Sequence, residues 1–414
     1  MRKSKHPIIR LGDIVEVSPR TPKMPSDMDV SFLGMTDVSE DGKIINNNVR
    51  KYAEVSKGYT PFRDGDILVA KITPCFENGK GALVHSLVNG IGFGSTEFHV
   101  LRPSEQIDPY LLLNITQSKP FRVLGESEMS GSAGQKRVPS AFIADYEIPL
   151  PPLPEQRKIA AIIRTWDEAI EKTESLIKAN EKRLFLLTTS LIFGRIRLGK
   201  RPTHERAQHK WVSGPKDWKL QQIGDIAVER SELNTGGATL TVLSCSKHDG
   251  FVRSLDYFKK QIFSKNLAGY KTIYRGDFGF PSNHVEEGSI GLQNLEDKAL
   301  VSPIYIVFTP DEKRIHADFL FRLLKTKTYA HIFRASTSSS VDRRGNLRWA
   351  EFSSIPVCLP DLKEQQEISA FLKGQQNLID DLYRYKHALQ SQKRGLMQKL
   401  LTGEWRVQVD KEAA

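Results

Sequence analysis

The feature that most constrains the fold of this chain is an internal repeat, built around a proline-rich run and a long helical pattern. The run IPLPPLPEQRKI at residues 148–159 recurs as IPVCLPDLKEQQEI at residues 355–368. With these runs aligned, apolar positions stay in register as far as Leu191 and Leu400. A repeat of this length predicts two copies of one structural unit.

The regions before the two helical patterns repeat more faintly. The matching segments are Leu11-Gly12-Asp13-Ile14 with Ile223-Gly224-Asp225-Ile226, Gly65-Asp66 with Gly276-Asp277, and STEFHVLRP (95–103) with SPIYIVFTP (302–310). The last pair alternates as strands do, and DILVAKI has strand composition. Residues 109–124 predict a helix with Asp108 as N-cap, and residues 318–333 a second one. Each copy is therefore predicted to be a mixed α/β domain.

The first long helix repeats apolar or small residues in steps of four and three, the 3.5-residue period of a coiled-coil seam. These positions are Ile159, Ile163, Trp166, Ile170, Thr173, Ile177, Asn180, Leu184, Leu187 and Leu191. Asn180 would fix the register if it were buried. The second helix keeps Ile368, Leu372, Ile379, Leu382, Leu389, Leu396 and Leu400, with Gln375, Lys386 and Lys393 interrupting.

Each helix of about 39 residues would be roughly 58 Å long, more than one domain can bury. We therefore predict an α+β chain whose two domains alternate with two long helices, paired as an antiparallel coiled coil and related by a pseudo-two-fold axis. The alternative is that each helix caps its own domain. The predicted segments are domain 1 (1–150), helix 1 (151–194), a basic linker (195–215), domain 2 (216–361), helix 2 (362–405) and a tail (406–414).

The charge balance favours a polyanionic partner. Sixty Lys and Arg against 49 Asp and Glu leave a formal net charge of +11, and phosphates neutralised by such residues release counterions. A basic surface kept for solubility is the alternative. Cys75, Cys245 and Cys358 form no CxxC pair, which argues against a structural zinc site or a disulfide framework. With neither a signal-peptide h-region nor a long apolar run, the sequence predicts a cytoplasmic protein that makes no membrane contact.

The alternation of two variable domains with two similar helices resembles the specificity subunit of type I restriction-modification systems. The marker is IPLPPLPEQRKIAAI, together with the glycine-ended helix closures FGRIRL and TGEWRV. The second copy, IPVCLPDLKEQQEISAF, departs from the family pattern by having CLPD where PPLP is usual. The resemblance covers essentially the whole chain.

The resemblance implies a subunit without chemistry of its own. Each variable domain would act as a target-recognition domain for one half of a bipartite double-stranded DNA target. The helices would set the spacer between the halves. Two methyltransferase subunits, which use S-adenosylmethionine, would pack on the helical region, and motor-nuclease restriction subunits would join them. No cofactor is expected in this chain.

Motif searches also favour a binding subunit. An adenine methyltransferase needs an Asp/Asn-Pro-Pro-aromatic loop, and Asp108-Pro109-Tyr110 lacks the second proline. GxGxxG and GxxxxGK[ST] loops are missing from the sequence, and no catalytic or metal-ligating residue is assigned. The alternatives left open are a DNA methyltransferase or nuclease acting alone, and a protein scaffold that does not bind DNA.

Candidate DNA contacts lie in polar and basic loops beside the predicted strands, because Arg or Lys reads guanine and Asn reads adenine. The alternative is a set of ordinary solvated loops, and the basic linker is expected to be solvated too. In domain 1 the candidates come from residues 70–81 and 129–140: Lys71, Thr73, Asn78, Lys80, Gln135, Lys136 and Arg137. In domain 2 they are Ser282, Asn283, His284, Arg343, Arg344, Asn346 and Arg348.

Overall fold

The computed structural model describes residues 6–20, 23–132, 134–199, 201, 206–209, 211–247, 249–258, 260–283, 285–337 and 346–409. The chain divides into two compact units. Unit 1 comprises Met1–Ser175 and Arg384–Ala414, and unit 2 comprises Leu176–Tyr383. Each long helix contributes one part to unit 1 and the other part to unit 2.

Apart from one additional hairpin, β11 (Arg206–Gln208) with β12 (Ser213–Pro215), the helices and strands follow one another in the same order in the two repeats. In the described residues the α-helices are α1 (Tyr52–Val55), α2 (Pro109–Gln117), α3 (Lys119–Ser127), α4 (Ser140–Asp145), α5 (Leu153–Ile192), α6 (Ser254–Phe258), α7 (Ala317–Leu324), α8 (Lys327–Ser336), α9 (Trp349–Ser353) and α10 (Leu362–Leu401). The strands of unit 1 are β1 (Ile8–Arg10), β2 (Val15–Val17), β3 (Asp29–Leu33), β4 (Asn48–Lys51), β5 (Thr60–Arg63), β6 (Ile67–Ala70), β7 (Gly81–Leu83), β8 (Ile91–Gly94), β9 (Phe98–Pro103) and β10 (Glu147–Pro149). The strands of unit 2 are β11 (Arg206–Gln208), β12 (Ser213–Pro215), β13 (Lys219–Gln222), β14 (Ala227–Arg230), β15 (Leu243–Ser246), β16 (Gly250–Arg253), β17 (Lys271–Tyr274), β18 (Phe278–Pro281), β19 (Gly291–Leu292), β20 (Lys298–Val301), β21 (Tyr305–Pro310) and β22 (Pro356–Leu359).

A four-stranded antiparallel sheet with the same topology lies at the centre of each unit. Its order is β2-β9-β6-β7 in unit 1 and β14-β21-β18-β19 in unit 2. In both units a 3-10 turn precedes the first strand, at Leu11–Asp13 and at Ile223–Asp225. The paired strands β1-β10 and β13-β22 are equivalent as well. Each unit therefore contains both helices and strands, as the repeat predicts.

The inner strands are buried on both faces, which explains their nearly continuous apolar sequence. Along β6, Ile67 and Val69 pack in one hydrophobic cluster, while Leu68 and Ala70 pack in another. Successive side chains point to opposite faces of a strand, so the sheet separates two cores. In unit 2, β21 divides its side chains in the same way.

The helix predicted over residues 109–124 is wrong in one respect, because two helices occupy this region. Asp108 caps α2 by accepting the N–H groups of Tyr110 and Leu111, each at 2.9 Å, which confirms the predicted N-cap. The helix then stops at Gln117, and α3 carries Pro120 in its first turn. A proline inside a longer helix would lack the N–H that the ladder requires.

The corresponding prediction in unit 2, a single helix over residues 318–333, is wrong in the same way. Here α7 ends at Leu324, and Thr326 begins α8 as its N-cap by accepting the Tyr329 N–H. A capping threonine has an extended backbone, so the first helix cannot continue through it.

The predicted seam of each long helix coincides with its burial. All ten seam residues of α5 are buried or half-buried, whereas Arg164, Glu171 and Lys178 are exposed. Asn180 is half-buried, and its amide donates to the Leu176 carbonyl of its own helix at 2.8 Å. Its role in fixing the register of the seam stays a prediction.

The described part of the basic linker predicted at residues 195–215 contains regular secondary structure. In its described part, β11 pairs with β12 in an antiparallel hairpin. Arg206 donates to the carbonyl oxygens of Phe193 and Ser213, both at 3.0 Å. The expectation of a solvated basic run is wrong for this arginine and for Arg197, which is described below. Within the described residues, no helix is long and apolar enough to cross a membrane.

Candidate nucleic-acid interface

A glycine-aspartate turn precedes an inner strand of the central sheet in each unit. Gly65 and Gly276 have φ angles of +90° and +91°, which a residue with a side chain adopts only with strain. Asp66 accepts the Arg63 N–H at 2.8 Å, and Asp277 accepts the Tyr274 N–H at 2.9 Å. Both carboxylates are 1% exposed. The repeated Gly-Asp pair is therefore a structural element that starts the strand.

The arginine that neutralises this buried aspartate comes from a different strand in each unit. In unit 1, Arg102 of β9 donates to both oxygens of Asp66 at 2.9 and 2.8 Å. In unit 2, Arg230 of β14 lies 2.9 Å from Asp277, and Thr309 of β21 donates to Asp277 at 2.6 Å. Each central sheet therefore contains a buried aspartate that is paired with an arginine, although the arginine comes from a different strand in each unit.

The two predicted DNA-contact segments of unit 1 lie side by side at the end of β6. The Thr73 N–H donates to the Lys136 carbonyl at 3.0 Å, and the Val138 N–H donates to the Lys71 carbonyl at 2.9 Å. The described residues of segments 70–81 and 129–140 are therefore joined side by side, and we call them the unit 1 loop surface. The structure brings together all seven predicted residues of this unit within these two joined segments.

Their side chains differ in how firmly they are held. Arg137 donates to both oxygens of Glu97, with Nε–Oε2 at 2.9 Å and Nη2–Oε1 at 2.8 Å. These hydrogen bonds hold the pKa of Glu97 below its ordinary value. Thr73 donates to Glu77 at 2.8 Å, and Asn78 donates to Glu40 at 3.0 Å.

The remaining four predicted residues of unit 1 form no side-chain hydrogen bond or ion pair within the described part of the chain. Lys71 and Lys80 are half-buried, while Gln135 and Lys136 are exposed. The unit 1 loop surface therefore presents side chains that can contact a ligand without first breaking an internal bond. Sequence reasoning missed Glu97, which directly precedes β9, because its partner Arg137 lies 40 residues away in the chain.

Unit 2 repeats the same junction between its two predicted segments. The Leu347 N–H donates to the Ser282 carbonyl at 2.8 Å, and the Ser282 hydroxyl donates to Asn346 at 3.4 Å. Asn283 is half-buried, and Arg348 is exposed at the start of α9. Three predicted residues, His284, Arg343 and Arg344, lie outside the described residues. The segments around Ser282 and Asn346, which we call the unit 2 loop surface, correspond to the unit 1 loop surface.

A cleft of about 530 Å³ opens on the unit 2 loop surface. Ser282, Asn346 and Arg348 line it, together with Trp349 and with Glu229 from β14. Sequence reasoning missed Glu229, because nothing in the pattern AVER distinguishes it from an ordinary exposed strand residue. The cleft has the mixture of donors, acceptors and an aromatic ring that reads base edges in nucleic-acid interfaces.

Two buried basic residues support the unit 1 loop surface from beneath. Arg122 of α3 donates to the Phe76 carbonyl at 2.9 Å and lies over the Phe76 ring at 4.7 Å. Burial lowers its pKa to about 9. His99 of β9 donates from Nε2 to the Val138 carbonyl at 2.9 Å, and burial lowers its pKa as well. Both residues hold loop backbone in place, so they act as positioning residues.

The glutamine of the repeated helix start joins each long helix to its domain. Gln156 is 1% exposed, accepts the Asp108 N–H at 2.9 Å and donates to the Gln106 carbonyl at 2.8 Å. Gln365 does the same in unit 2, accepting the His316 N–H at 2.8 Å. The glutamine amide forms hydrogen bonds with backbone groups of the loop that precedes α2 or α7. This role explains why a glutamine follows the glutamate after both proline-rich runs.

The preceding glutamate forms an ion pair with the end of the other long helix. In unit 1, Arg406 donates to Glu155 through Nε and Nη2, both at 2.9 Å. In unit 2, Arg197 donates to Glu364 at 2.9 and 2.6 Å. Burial would raise the pKa of Glu155, but its hydrogen bonds and the nearby positive charge of Arg406 outweigh this effect and lower it.

The sequence of this chain matches one family model twice and is similar to specificity subunits of type I restriction enzymes. Residues 4–180 and 215–385 match the family model described as type I restriction modification DNA specificity domain. The chain is 46% identical over 155 residues to the type I restriction enzyme EcoEI specificity subunit of Escherichia coli, a match that spans 36% of this chain and 26% of that relative. It is 26% identical over 323 residues to the MjaVIII specificity subunit of Methanocaldococcus jannaschii, which spans 72% of this chain and 71% of that relative. The chain thus matches only about a quarter of the length of the E. coli relative.

Solved structures share the fold. One, described as the structural basis underlying complex assembly and conformational transition of the type I R-M system, superimposes with a TM-score of 0.64 at 18% identity, covering 97% of this chain and 100% of the other. The HsdS subunit from Thermoanaerobacter tengcongensis gives a TM-score of 0.53 at 18% identity, covering 96% and 97%. With two matches to the family model that together span most of its length, this chain belongs to the family of type I restriction-modification specificity subunits.

Proposed function

We propose that this chain is the DNA-reading subunit of a type I restriction-modification complex, with units 1 and 2 each reading one half of a bipartite target. The observation that carries the proposal is the repeated loop junction. The bond from Val138 to Lys71 in unit 1 has its equivalent in the bond from Leu347 to Ser282 in unit 2. One backbone scaffold thus presents two different sets of side chains, so the two half-sites should differ in sequence.

The residue types on the two loop surfaces suit duplex DNA. Lys80 and Lys136 are the type of residue that binds phosphate, while Asn346 and Arg348 can pair with adenine and guanine edges. The net charge of +11 favours association with DNA. A scaffold that does not bind DNA would need none of these arrangements.

The long helices are proposed to pair as an antiparallel coiled coil that sets the spacer between the half-sites. Contacts inside each unit support this pairing. In unit 1, Lys386 lies 3.5 Å from Glu174, and Lys393 pairs with Asp167. In unit 2, Tyr383 donates to Glu181 at 2.7 Å. Residue numbers rise along α5 as those of their partners fall along α10, which is the antiparallel direction.

The pseudo-two-fold relation between the repeats is supported by the exchanged ion pairs. Glu155 at the start of α5 binds Arg406, which follows α10, and Glu364 at the start of α10 binds Arg197, which follows α5. Each helix start is therefore bonded to the residue that follows the other helix. A chain that folded as two independent domains with capping helices would bond each helix start within its own repeat.

The partners proposed for this chain are two methyltransferase subunits, which would pack on the helices, and motor-nuclease restriction subunits. The chain itself is proposed to be noncatalytic and cytoplasmic, and S-adenosylmethionine would bind to the methyltransferase subunits. Large apolar side chains on the helices support a docking role. On α5, Leu176, Phe185 and Leu186 are 53%, 56% and 55% exposed, and Leu378 on α10 is 43% exposed.

The proposal is tested by mapping DNA methylation. The chain is co-expressed with its neighbouring methyltransferase subunit in a methylation-free host, and methyladenine is located by long-read sequencing. A single split motif that disappears when the chain is omitted is the expected result. Methylation at a continuous motif would contradict the proposal that each unit reads one half of a bipartite target. Methylation that does not depend on this chain would favour a scaffold, and methylation by this chain without a partner would favour a stand-alone methyltransferase.

A further inference from the structure

Glu229 is an acidic residue on a surface that is otherwise suited to DNA. It lies on the edge strand β14, is exposed, and lines the cleft of the unit 2 loop surface with Asn346 and Arg348. A carboxylate near DNA phosphates is repelled by them. Its presence in this cleft therefore calls for a specific partner that offers hydrogen-bond donors.

The neighbouring protein groups do not supply that partner. Arg230, the next residue, forms an ion pair with Asp277 at 2.9 Å. Arg348 lines the same cleft, yet the Glu229 carboxylate forms no hydrogen bond or ion pair with Arg348 or with any other group within the described residues. The carboxylate of Glu229 thus faces the cleft with its acceptor capacity unused by the described part of the protein.

The chemistry of a carboxylate restricts what it can recognise. Ionised Glu only accepts hydrogen bonds. In the major groove, cytosine presents its N4 amino donor, whereas guanine presents only acceptors and adenine adds an acceptor beside its donor. Among the base edges, the one that best fits a lone carboxylate is cytosine.

We propose that Glu229 determines specificity by accepting a hydrogen bond from the N4 amino group of a cytosine in the half-site read by unit 2. The inference rests on the proposed function of this unit as a DNA reader. Asn346 and Arg348, which share the cleft, supply the amide and guanidinium for adjacent bases. The cleft therefore contacts at least one C·G pair through an acidic residue.

Unit 1 has no such carboxylate at the equivalent place. Glu229 lies opposite Phe308 in the pairing of β14 with β21, and Val17 lies opposite Leu101 in the pairing of β2 with β9. Phe308 and Leu101 each stand two residues before the proline that ends the strand. A change at Glu229 is consequently expected to alter one half-site and leave the other unchanged.

The test compares methylation motifs of the wild-type chain, Glu229→Gln and the control Glu312→Gln. Glu312 is an exposed acid of the same unit outside the cleft, so its variant makes the same change in charge. Each chain is co-expressed with the methyltransferase subunit, and methyladenine is mapped by long-read sequencing. Glutamine both donates and accepts, so Glu229→Gln is expected to reduce the preference for cytosine over adenine at one position by roughly ten-fold or more. Glu312→Gln should keep the wild-type motif.

If a complex with a variant chain shows no methylation, its DNA binding is measured directly. The purified complexes are titrated with duplexes that carry each of the four base pairs at the cytosine position. Equal discrimination by wild type and Glu229→Gln, or an unchanged motif, would overturn the role of Glu229 while leaving the bipartite reader intact. If the wild-type chain directs no split motif, the proposed function itself fails. Loss of discrimination at one position of one half-site supports the inference.

Discussion

Replacing Arg197 with alanine is expected to destabilise unit 2 strongly, because it removes both hydrogen bonds that Arg197 donates to the buried Glu364 carboxylate and leaves only the longer contact with Arg201, at 3.9 Å. The side chains of Arg197 and Glu364 are 4% and 2% exposed, and they share two hydrogen bonds of 2.9 and 2.6 Å. Removing one partner of a buried ion pair typically costs about 3–5 kcal/mol. Asp217 also contacts Arg197 at 2.8 Å, but it is largely exposed and can be solvated when the arginine is lost.

The equivalent pair of unit 1 is the matched control. The side chain of Arg406 is 45% exposed, so solvent screens its charge. After Arg406→Ala, Glu155 would still accept the Val407 N–H at 3.1 Å and would remain 3.6 Å from His6. The loss of stability should therefore be smaller than for Arg197→Ala.

Hydrogen exchange measured by mass spectrometry suits this test, because a chain with two units need not unfold in one step. A loss of about 3–5 kcal/mol corresponds to roughly 150- to 5,000-fold faster exchange of the most protected amides of unit 2. Peptides from unit 1 serve as an internal reference. The double variant Arg197→Ala with Glu364→Gln should recover part of the protection, since no buried charge remains. Equal effects of Arg197→Ala and Arg406→Ala, or acceleration below about ten-fold, would refute the reasoning.

Three further predictions concern pH, DNA affinity and the spacer. Burial lowers the pKa of His99 below the value of about 6.5 in an unfolded chain, so the unfolded state binds the proton more readily and unit 1 loses stability as the pH falls from about 6.5 toward the folded pKa. Thermal melts at several pH values should show this loss, and His99→Gln should reduce it. Lys136→Glu should weaken DNA binding and reduce the slope of log affinity against log salt by about one or more. Lys57 is an exposed lysine outside the unit 1 loop surface, so Lys57→Glu should change neither the affinity nor the slope. Equal effects of the two substitutions would contradict a DNA contact at Lys136. Inserting one heptad after Ser175 and one after Tyr383 should lengthen the methylated spacer by roughly three base pairs, since seven residues add about 10.5 Å. An unchanged spacer would contradict the proposal that the helices set its length.

Much of the architecture could be predicted from local patterns. The strand at residues 95–103, the N-cap at Asp108 and the seam of α5 follow from alternation, capping chemistry and the 3.5-residue period, all of which depend on near neighbours in sequence. Where these rules compete, the pattern misleads. The apolar run over residues 109–124 continues past Pro120, yet the missing N–H divides the helix.

The sequence predicted which segments form the candidate site, but it did not predict which of their side chains are available to contact a ligand. Residues 70–81 and 129–140 have the composition of DNA-contact loops, and the structure joins them through the Thr73 and Val138 N–H groups. Whether a given side chain is available depends on distant residues. Arg137 is held by Glu97, which lies 40 residues earlier in the chain and directly precedes β9, and no local pattern indicates such a pair.

The sequence by itself determined the repeat, the type and order of the main helices and strands, and the family, because each of these is written in short-range spacing and in one recurring motif. Only the tertiary structure decided the partners of the repeated charged residues. Glu155 and Glu364 have the same place in their repeats, yet each binds an arginine that follows the other long helix, Arg406 or Arg197. Such pairs join positions far apart in the chain, and their choice depends on which backbones pack together and on the exclusion of water from the carboxylates. These long-range contacts lie beyond the information in local spacing.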